Sequence, residues 1–305
     1  MGIGPGVLSL YATMRRDGLF NAVKQVVDIG AQVLVCHDQA QSVLDIFDAF
    51  GISPPEPAEL MRLSRGASAR ELFARLGIEY SCVDASGEYG ALSLDLNFDA
   101  CPAEHRGRYQ LVSNHGTTEH LLNQFNAFRF IHDLAALGGL IMHALPFTSY
   151  VDHGYFNYQP NLFRDLARAN GYELLGMWIN IDPKFTHFIP WEHGLEKHIR
   201  LEMSDSLLLV LLRKTVDADF APPFQAVYEH LVPEAVLKRY RYVVDGQLVS
   251  GRRGLLLSLE DTVNKYNTLR EPQQFVRQLS GRTLLREVQR RLFQRLLSLL
   301  RIRRS

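Results

Sequence analysis

Between Lys24 and Lys214, short apolar runs stopped by an acid, a glycine or a proline alternate with longer stretches whose apolar residues recur at helical spacing. No other feature limits the fold as tightly. Val26-Val27-Asp28-Ile29-Gly30 is apolar almost throughout and then turns, as a strand covered on both faces must. Similar runs occur at Ile78–Val83, Ala91–Leu96, Gln110–Ser113, Leu140–Leu145 (ended by Pro146), Tyr172–Ile179 and Leu207–Leu212. Helical spacing marks Gln41–Phe50, Ser68–Leu76, Thr118–Leu134 and Pro160–Ala169, whereas the proline-rich stretch Ser53–Gly66 is expected to be a loop. This alternation predicts an α/β, doubly wound, mostly parallel sheet with helices on both faces.

Four segments are expected: an N-terminal segment over 1–20, the α/β domain over 21–215 with an insertion near 51–67, a helical and loop extension over 216–280, and a basic amphipathic helix over 281–305. The insertion is read as a lid or an oligomer contact. Lys+Arg and Asp+Glu are both 33, so overall charge argues against a nucleic-acid partner. Cys36, Cys82 and Cys101 form no CxxC pair and read as small buried apolar residues in a reducing, cytoplasmic setting. The first residues lack the basic region of a signal peptide, position 6 is Gly where myristoylation wants Ser or Thr, and no window suggests a transmembrane helix.

In an open parallel sheet, ligands bind beyond the carboxyl ends of the strands. The polar or turn residues at those ends are Asp28, Gly30, Asp84, Asp95, Asn114, His115, His143 and Pro146. Gly30 lets a ligand approach the backbone, and Asp84 is placed to accept hydrogen bonds from a ribose.

The spacing of these signals resembles the seven-strand, Rossmann-like, S-adenosylmethionine-dependent methyltransferase family. Tyr109–Pro146 resembles its fourth strand, following helix, Gly-Gly turn and fifth strand; VVDIGAQ resembles its first glycine motif, CVDASG its second-strand acid, and SDSLLLVLLRK its antiparallel last strand. The resemblance implies S-adenosylmethionine as cofactor, with the backbone near Gly30 passing its methionine end, Asp28 a further cofactor ligand, Asp84 on the ribose and Asp95 or Leu96 by the adenine. Asn114 and His115 are implied to lie beneath the sulfonium. The first motif departs from the family in having Ala31 and Gln32 where small residues are usual, and Asp84 follows Asp28 at a long interval bridged by the 51–67 insertion.

Transfer to an oxygen or nitrogen needs a base, and histidine titrates near neutral pH. His143, His153 and His120 are the candidates, with His115 closer to the cofactor. No HExxH or similar spacing announces a metal. The Tyr-, Phe- and Asn-rich segment 150–163 suits a small or sugar-like acceptor. Over 281–305, eight arginines against Glu287 give a charge of +7, and Leu285, Val288, Leu292, Leu296 and Leu299 share a face. Such a helix can lie on an anionic membrane or dock on protein. The expected function is therefore methyl transfer, possible at the inner membrane face. The alternative is a methyltransferase-fold binding protein without turnover. A nicotinamide enzyme is disfavoured because DIGAQV lacks the G-x-G-x-x-G fingerprint.

Overall fold

A two-residue strand, β1 (Gly2–Ile3), leads into helix α1 (Pro5–Arg16) in the computed structural model, which describes residues 2–36, 39–180, 182, 184–191 and 205–268. The amphipathic tail expected at 281–305 lies outside the described residues. Pro5 fits the first turn of α1, where its missing N–H has no partner to lose, and Arg15 and Arg16 suit the negative end. Glycines at 2, 4 and 6 mask this helix in the sequence, yet Val7, Leu8, Tyr11, Ala12 and Met14 are buried.

The first central strand, β2 (Gln25–Ile29), is followed by β3 (Val33–Val35), α2 (Gln41–Ala49), α3 (Pro57–Ser64), β4 (Arg65–Ser68) and α4 (Ala69–Arg75). The loop expected at Ser53–Gly66 is therefore corrected: Pro57 starts a helix, and β4 begins at Arg65. Strands β1, β3 and β4 form a small separate sheet. Ser68 caps α4 by accepting the Glu71 N–H at 3.4 Å.

Next comes β5 (Glu79–Val83). The strand expected at Ala91–Leu96 shrinks to a single bridge, Val83 to Leu92. Gly87, Tyr89 and Gly90 take positive φ before it, and Asp95 turns the chain after it by accepting the Asn97 N–H. After β6 (Tyr109–His115) the helix expected from Thr118 starts only as α5 (Gln124–Leu134). Asn97 takes the N–H groups of Leu122 and Asn123, and Asn123 itself caps α5, so the preceding turn at Thr118–His120 stands apart.

Strand β7 (Ala135–Thr148) runs past Pro146, contrary to expectation. The proline lies opposite Leu207, beside a register irregularity at Ser206–Leu207, the kind of place where a sheet admits proline. The chain continues through α6 (Pro160–Asn170), β8 (Tyr172–Asn180), β9 (Phe188–Pro190) and β10 (Ser206–Lys214). It then forms α7 (Glu234–Leu237), the hairpin β11 (Arg241–Val244) and β12 (Gln247–Ser250), and α8 (Gly251–Thr268). The hairpin corrects the expectation of helices and loops alone; Asp245-Gly246 supplies its two positive-φ turn residues.

The main sheet has the order β5-β2-β6-β7-β10-β8-β9. Strands β5, β2, β6 and β7 are mutually parallel, whereas β10 runs antiparallel to both β7 and β8. The doubly wound, mostly parallel sheet with an antiparallel last long strand is thus present. The order reverses between β2 and β6, which makes their carboxyl ends the switch point. Phe128, Ile131, Phe163 and Leu166 from α5 and α6 pack with Val27, Ile29, Val112, Ile141 and Leu145 in one large core. Cys36, Cys82 and Cys101 are buried and free. At the end of α6, Gly171 has φ 63°, and a Cβ there would meet Val216 Cγ2 at 2.7 Å and Val243 Cγ2 at 2.9 Å. Gly171→Ala is expected to cost about 2 kcal/mol in chemical denaturation, from left-handed strain plus overpacking.

Candidate functional site

Strand alternation decides which side chains can meet at the switch point. Successive residues face opposite sides of a sheet. In β2, Val27 and Ile29 join the α5–α6 core, so Asp28 faces the other side. Asn114 lies opposite His143, and His115 opposite Ala144. His115 therefore points to the side that carries α1, and His143 points beneath α5 and α6.

Asp28 is fully buried on the α1 side, with Tyr80 Oη donating to it at 2.8 Å and Ser113 Oγ donating as well. Burial pushes its carboxyl up to about 7, against the pull of those two donors. Gly30 has φ 86° and donates to the Val83 carbonyl at 2.7 Å, tying the ends of β2 and β5 together. Asp84 turns toward that glycine turn: its Oδ2 accepts the Ala31 N–H at 2.9 Å, while Oδ1 accepts from the Ser86 N–H at 2.9 Å and Ser86 Oγ at 2.7 Å. Burial would raise its pKa, but the Ala31 and Ser86 donors outweigh it and hold the carboxyl below its ordinary value. The turn does not open a helix. Residues Val33–Val35 form β3, and α2 waits until Gln41.

Asn114 is buried, donates to Thr118 Oγ1 at 2.9 Å and lies 3.2 Å from His143 Nδ1. Tyr158 Oη also donates to Thr118 Oγ1, at 3.0 Å, so these residues brace the chain leaving β6. His143 packs against the Phe128 and Phe163 rings, and burial pushes it down to about 3. Asp95 is occupied by its turn with Asn97.

A cavity of about 550 Å³ opens on the α1 side, above the ends of β6 and β7. Its walls include Pro5, Gly6, His115, Glu119, Tyr150 and His153, and neither Gly30, Asp84 nor His143. A hollow of this size suits a small molecule. His115 is 2.9 Å from Tyr11 Oη through Nε2, while its buried Nδ1 has no partner. Burial pushes its pKa down to about 3, so the ring is neutral.

Glu119 is the residue the sequence undervalued. Its Thr-Thr-Glu-His setting reads as an acid at a helix start, but its side chain is only 1% exposed. Neither carboxylate oxygen has a hydrogen-bond partner, and burial pushes the carboxyl up to about 7. His153 Nε2 lies 3.7 Å and His120 Nε2 3.8 Å from Glu119 Oε1. The structure therefore brings His120 and His153 together, with ring centroids 5.1 Å apart, and leaves His143 on the other face. Burial first, and then the facing His153, push His120 below its ordinary pKa. The loop carrying His153 is held by the Tyr155 N–H, which donates to the Glu119 carbonyl at 2.7 Å. Tyr11, Tyr80 and Ser113 were invisible as site neighbours, because only strand pairing and the docked α1 bring them to Asp28 and His115.

No protein-family model matches the sequence, and no curated protein matches it. Solved structures with some likeness include a methyltransferase of Archaeoglobus fulgidus described as SAM-dependent, at 15% identity and a TM-score of 0.38, covering 67% of this chain and 93% of that one. The O-methyltransferase from a trans-AT PKS multienzyme of Brevibacillus brevis, in complex with S-adenosyl-L-homocysteine, gives 13% and 0.37 over 68% and 71%. The 1,6-didemethyltoxoflavin-N1-methyltransferase of Burkholderia thailandensis gives 13% and 0.36 over 69% and 79%. At these scores the fold class is drawn from the sheet order of the chain itself.

Proposed function

We propose that the chain is an S-adenosylmethionine-dependent methyltransferase acting on an oxygen or nitrogen of a small or sugar-like acceptor. The observation that carries this is the orphaned Nδ1 of His115, buried in the wall of a small-molecule-sized cavity above the ends of β6 and β7, beside the sheet's switch point. A buried polar atom without a partner is costly, and a ligand group that hydrogen-bonds it removes the cost. Gly30, Asp84 and His115 are the residues that would hold the cofactor. The Gly30 turn has no Cβ and takes positive φ, and the Asp84 carboxylate is kept ionised by its donors. When bound, the cofactor supplies an electrophilic methyl group on a sulfonium. The chain's own part is to orient the acceptor in the cavity and take up its proton, with Glu119 and His153 at the cavity wall and His120 beside them for that task. Positioning supplies most of the rate in such transfers.

Titration calorimetry with S-adenosylhomocysteine tests this. The wild type is expected to bind, and Asp84→Ala to bind at least about tenfold more weakly, the loss of one charge-assisted contact. No heat at millimolar ligand would overturn the proposal and favour a binding protein without turnover. Among the described residues no helix is long and apolar enough to cross a membrane. We further propose that the basic segment 281–305 brings the enzyme to an anionic membrane face. Flotation with anionic liposomes should be lost in a chain ending at Ser280; equal flotation of both chains would remove the idea.

A further inference from the structure

We propose that Glu119, His120 and His153 form a binding site for one divalent transition-metal ion, open toward the cavity. The three residues each offer a ligand atom, and these atoms all lie within 4.8 Å of one another. Two imidazoles and one carboxylate are a donor set suited to zinc and its first-row neighbours, and one that leaves positions free for another ligand.

The distances support an intervening ion over direct bonding. At 3.7 and 3.8 Å the imidazole nitrogens are too far from Glu119 Oε1 for hydrogen bonds. Ligands on a metal with bonds of about 2.0–2.2 Å sit roughly 3.0–3.6 Å apart. Each imidazole therefore needs to approach Glu119 by only a few tenths of an ångström, within a trio whose ligand atoms all lie within 4.8 Å of one another.

The carboxylate supplies an independent indication. Glu119 is 1% exposed at its side chain and neither oxygen has a hydrogen-bond partner. Buried carboxylates are ordinarily paired, hydrogen-bonded or metal-bound. Here the two imidazoles that approach Oε1 stop at 3.7 and 3.8 Å, beyond hydrogen-bond reach, and each can turn a lone pair toward a cation when neutral. A cation among the three satisfies all of them at once.

The loop that brings His153 into place is built for this approach. A Cβ on Gly154 would meet Glu119 Cγ at 2.9 Å and the Glu119 carbonyl oxygen at 3.0 Å, so only glycine lets the loop lie this close. The Tyr155 N–H then pins it to that carbonyl, and the Tyr150 ring sits 5.2 Å from that of His153. Glu119 and His153 both line the cavity. Resting on the methyl-transfer reading, the free coordination positions would take an acceptor hydroxyl, which a metal makes easier to ionise; with the trio engaged as ligands, the proton leaves to water in place of Glu119 or a histidine.

The test uses full-length, tag-free protein, stripped with a chelator and titrated with Zn2+ and with Co2+, the latter followed by its visible absorption; Mg2+ is the control. One equivalent of Zn2+ or Co2+ per chain is expected, with Mg2+ far weaker. His153→Ala changes a partly exposed loop side chain and should leave the metal-free melting curve unchanged while weakening uptake at least tenfold. Glu119→Gln keeps the shape and should do the same. No stoichiometric uptake, or uptake unchanged in His153→Ala, overturns the proposal whether or not Glu119→Gln folds. Calorimetry with S-adenosylhomocysteine on the same samples separates the two readings: metal uptake without nucleoside binding would sink methyl transfer and leave the metal site standing.

Discussion

Replacing Tyr11 by alanine is expected to destabilise the protein by about 3–5 kcal/mol, the range for deleting a large buried aromatic ring. Tyr11 has no exposed surface, and its ring meets Phe20 and Phe73 edge-on at centroid distances of 5.5 and 6.0 Å. It ties α1 to α4 through Phe73 and to the end of β6 through His115. Tyr11→Phe keeps the packing but removes the hydroxyl 2.9 Å from His115 Nε2. Because His115 Nδ1 already lacks a partner, the ring would then have none, at a cost of about 1–2 kcal/mol. Guanidinium unfolding of the two variants checks both values. A cost below about 1 kcal/mol for Tyr11→Ala would mean that α1 is not docked as described, and the cavity would lose one wall.

The contribution of Asp28 to stability is expected to fall as the pH rises from about 4 to about 7, opposite in sign to that of the buried neutral histidines His115 and His143. The Asp28 carboxyl titrates near 7 in the folded chain against an ordinary 3.8. Between those values the folded state holds the proton and the unfolded state has released it. The folded state thus binds more protons, so unfolding becomes easier with rising pH. A group whose folded pKa is raised gives its full stability below the unfolded pKa and has lost it above the folded one. A displacement of roughly 3 units corresponds to about 4 kcal/mol. Asp28→Asn is uncharged throughout and retains an oxygen for Tyr80 or Ser113. Its stability relative to wild type should therefore rise by about 4 kcal/mol between pH 4 and pH 8. Urea unfolding of both proteins across that range measures the difference; a flat difference curve would show that Asp28 ionises in the folded state as readily as in the unfolded.

The sheet was legible in the sequence because buried parallel strands are continuous apolar runs, and Val26–Gly30, Ile78–Val83 and Leu207–Leu212 are such runs. What escaped was set by contacts distant in sequence. Asn97 interrupts the apparent helix at Leu122–Asn123, and no periodicity records that. The Ala91–Leu96 pattern has strand character but meets a partner at Leu92 alone. Pro146 reads as a stop signal and becomes a strand residue because β10 is irregular opposite it. The β11–β12 hairpin escaped as well, although Asp245-Gly246 carries its turn signal.

The site was legible in part. Alternation along β6 and β7 separates His115 from His143, although both stand at strand ends. His120 and His153 meet across 33 residues only because the 150–156 loop folds back onto Glu119. The partnerless state of the Glu119 carboxylate is a property of burial, which sequence spacing does not carry.

The most direct measurement is a crystal structure of the protein grown with saturating S-adenosylhomocysteine. The nucleoside should lie across the ends of β2, β5 and β6, its ribose hydroxyls on the Asp84 carboxylate and its sulfur facing the cavity wall at His115. Crystals that show the Gly30–Asp84 turn closed and the compound absent, or bound on the face beneath α5 and α6, would contradict the assignment.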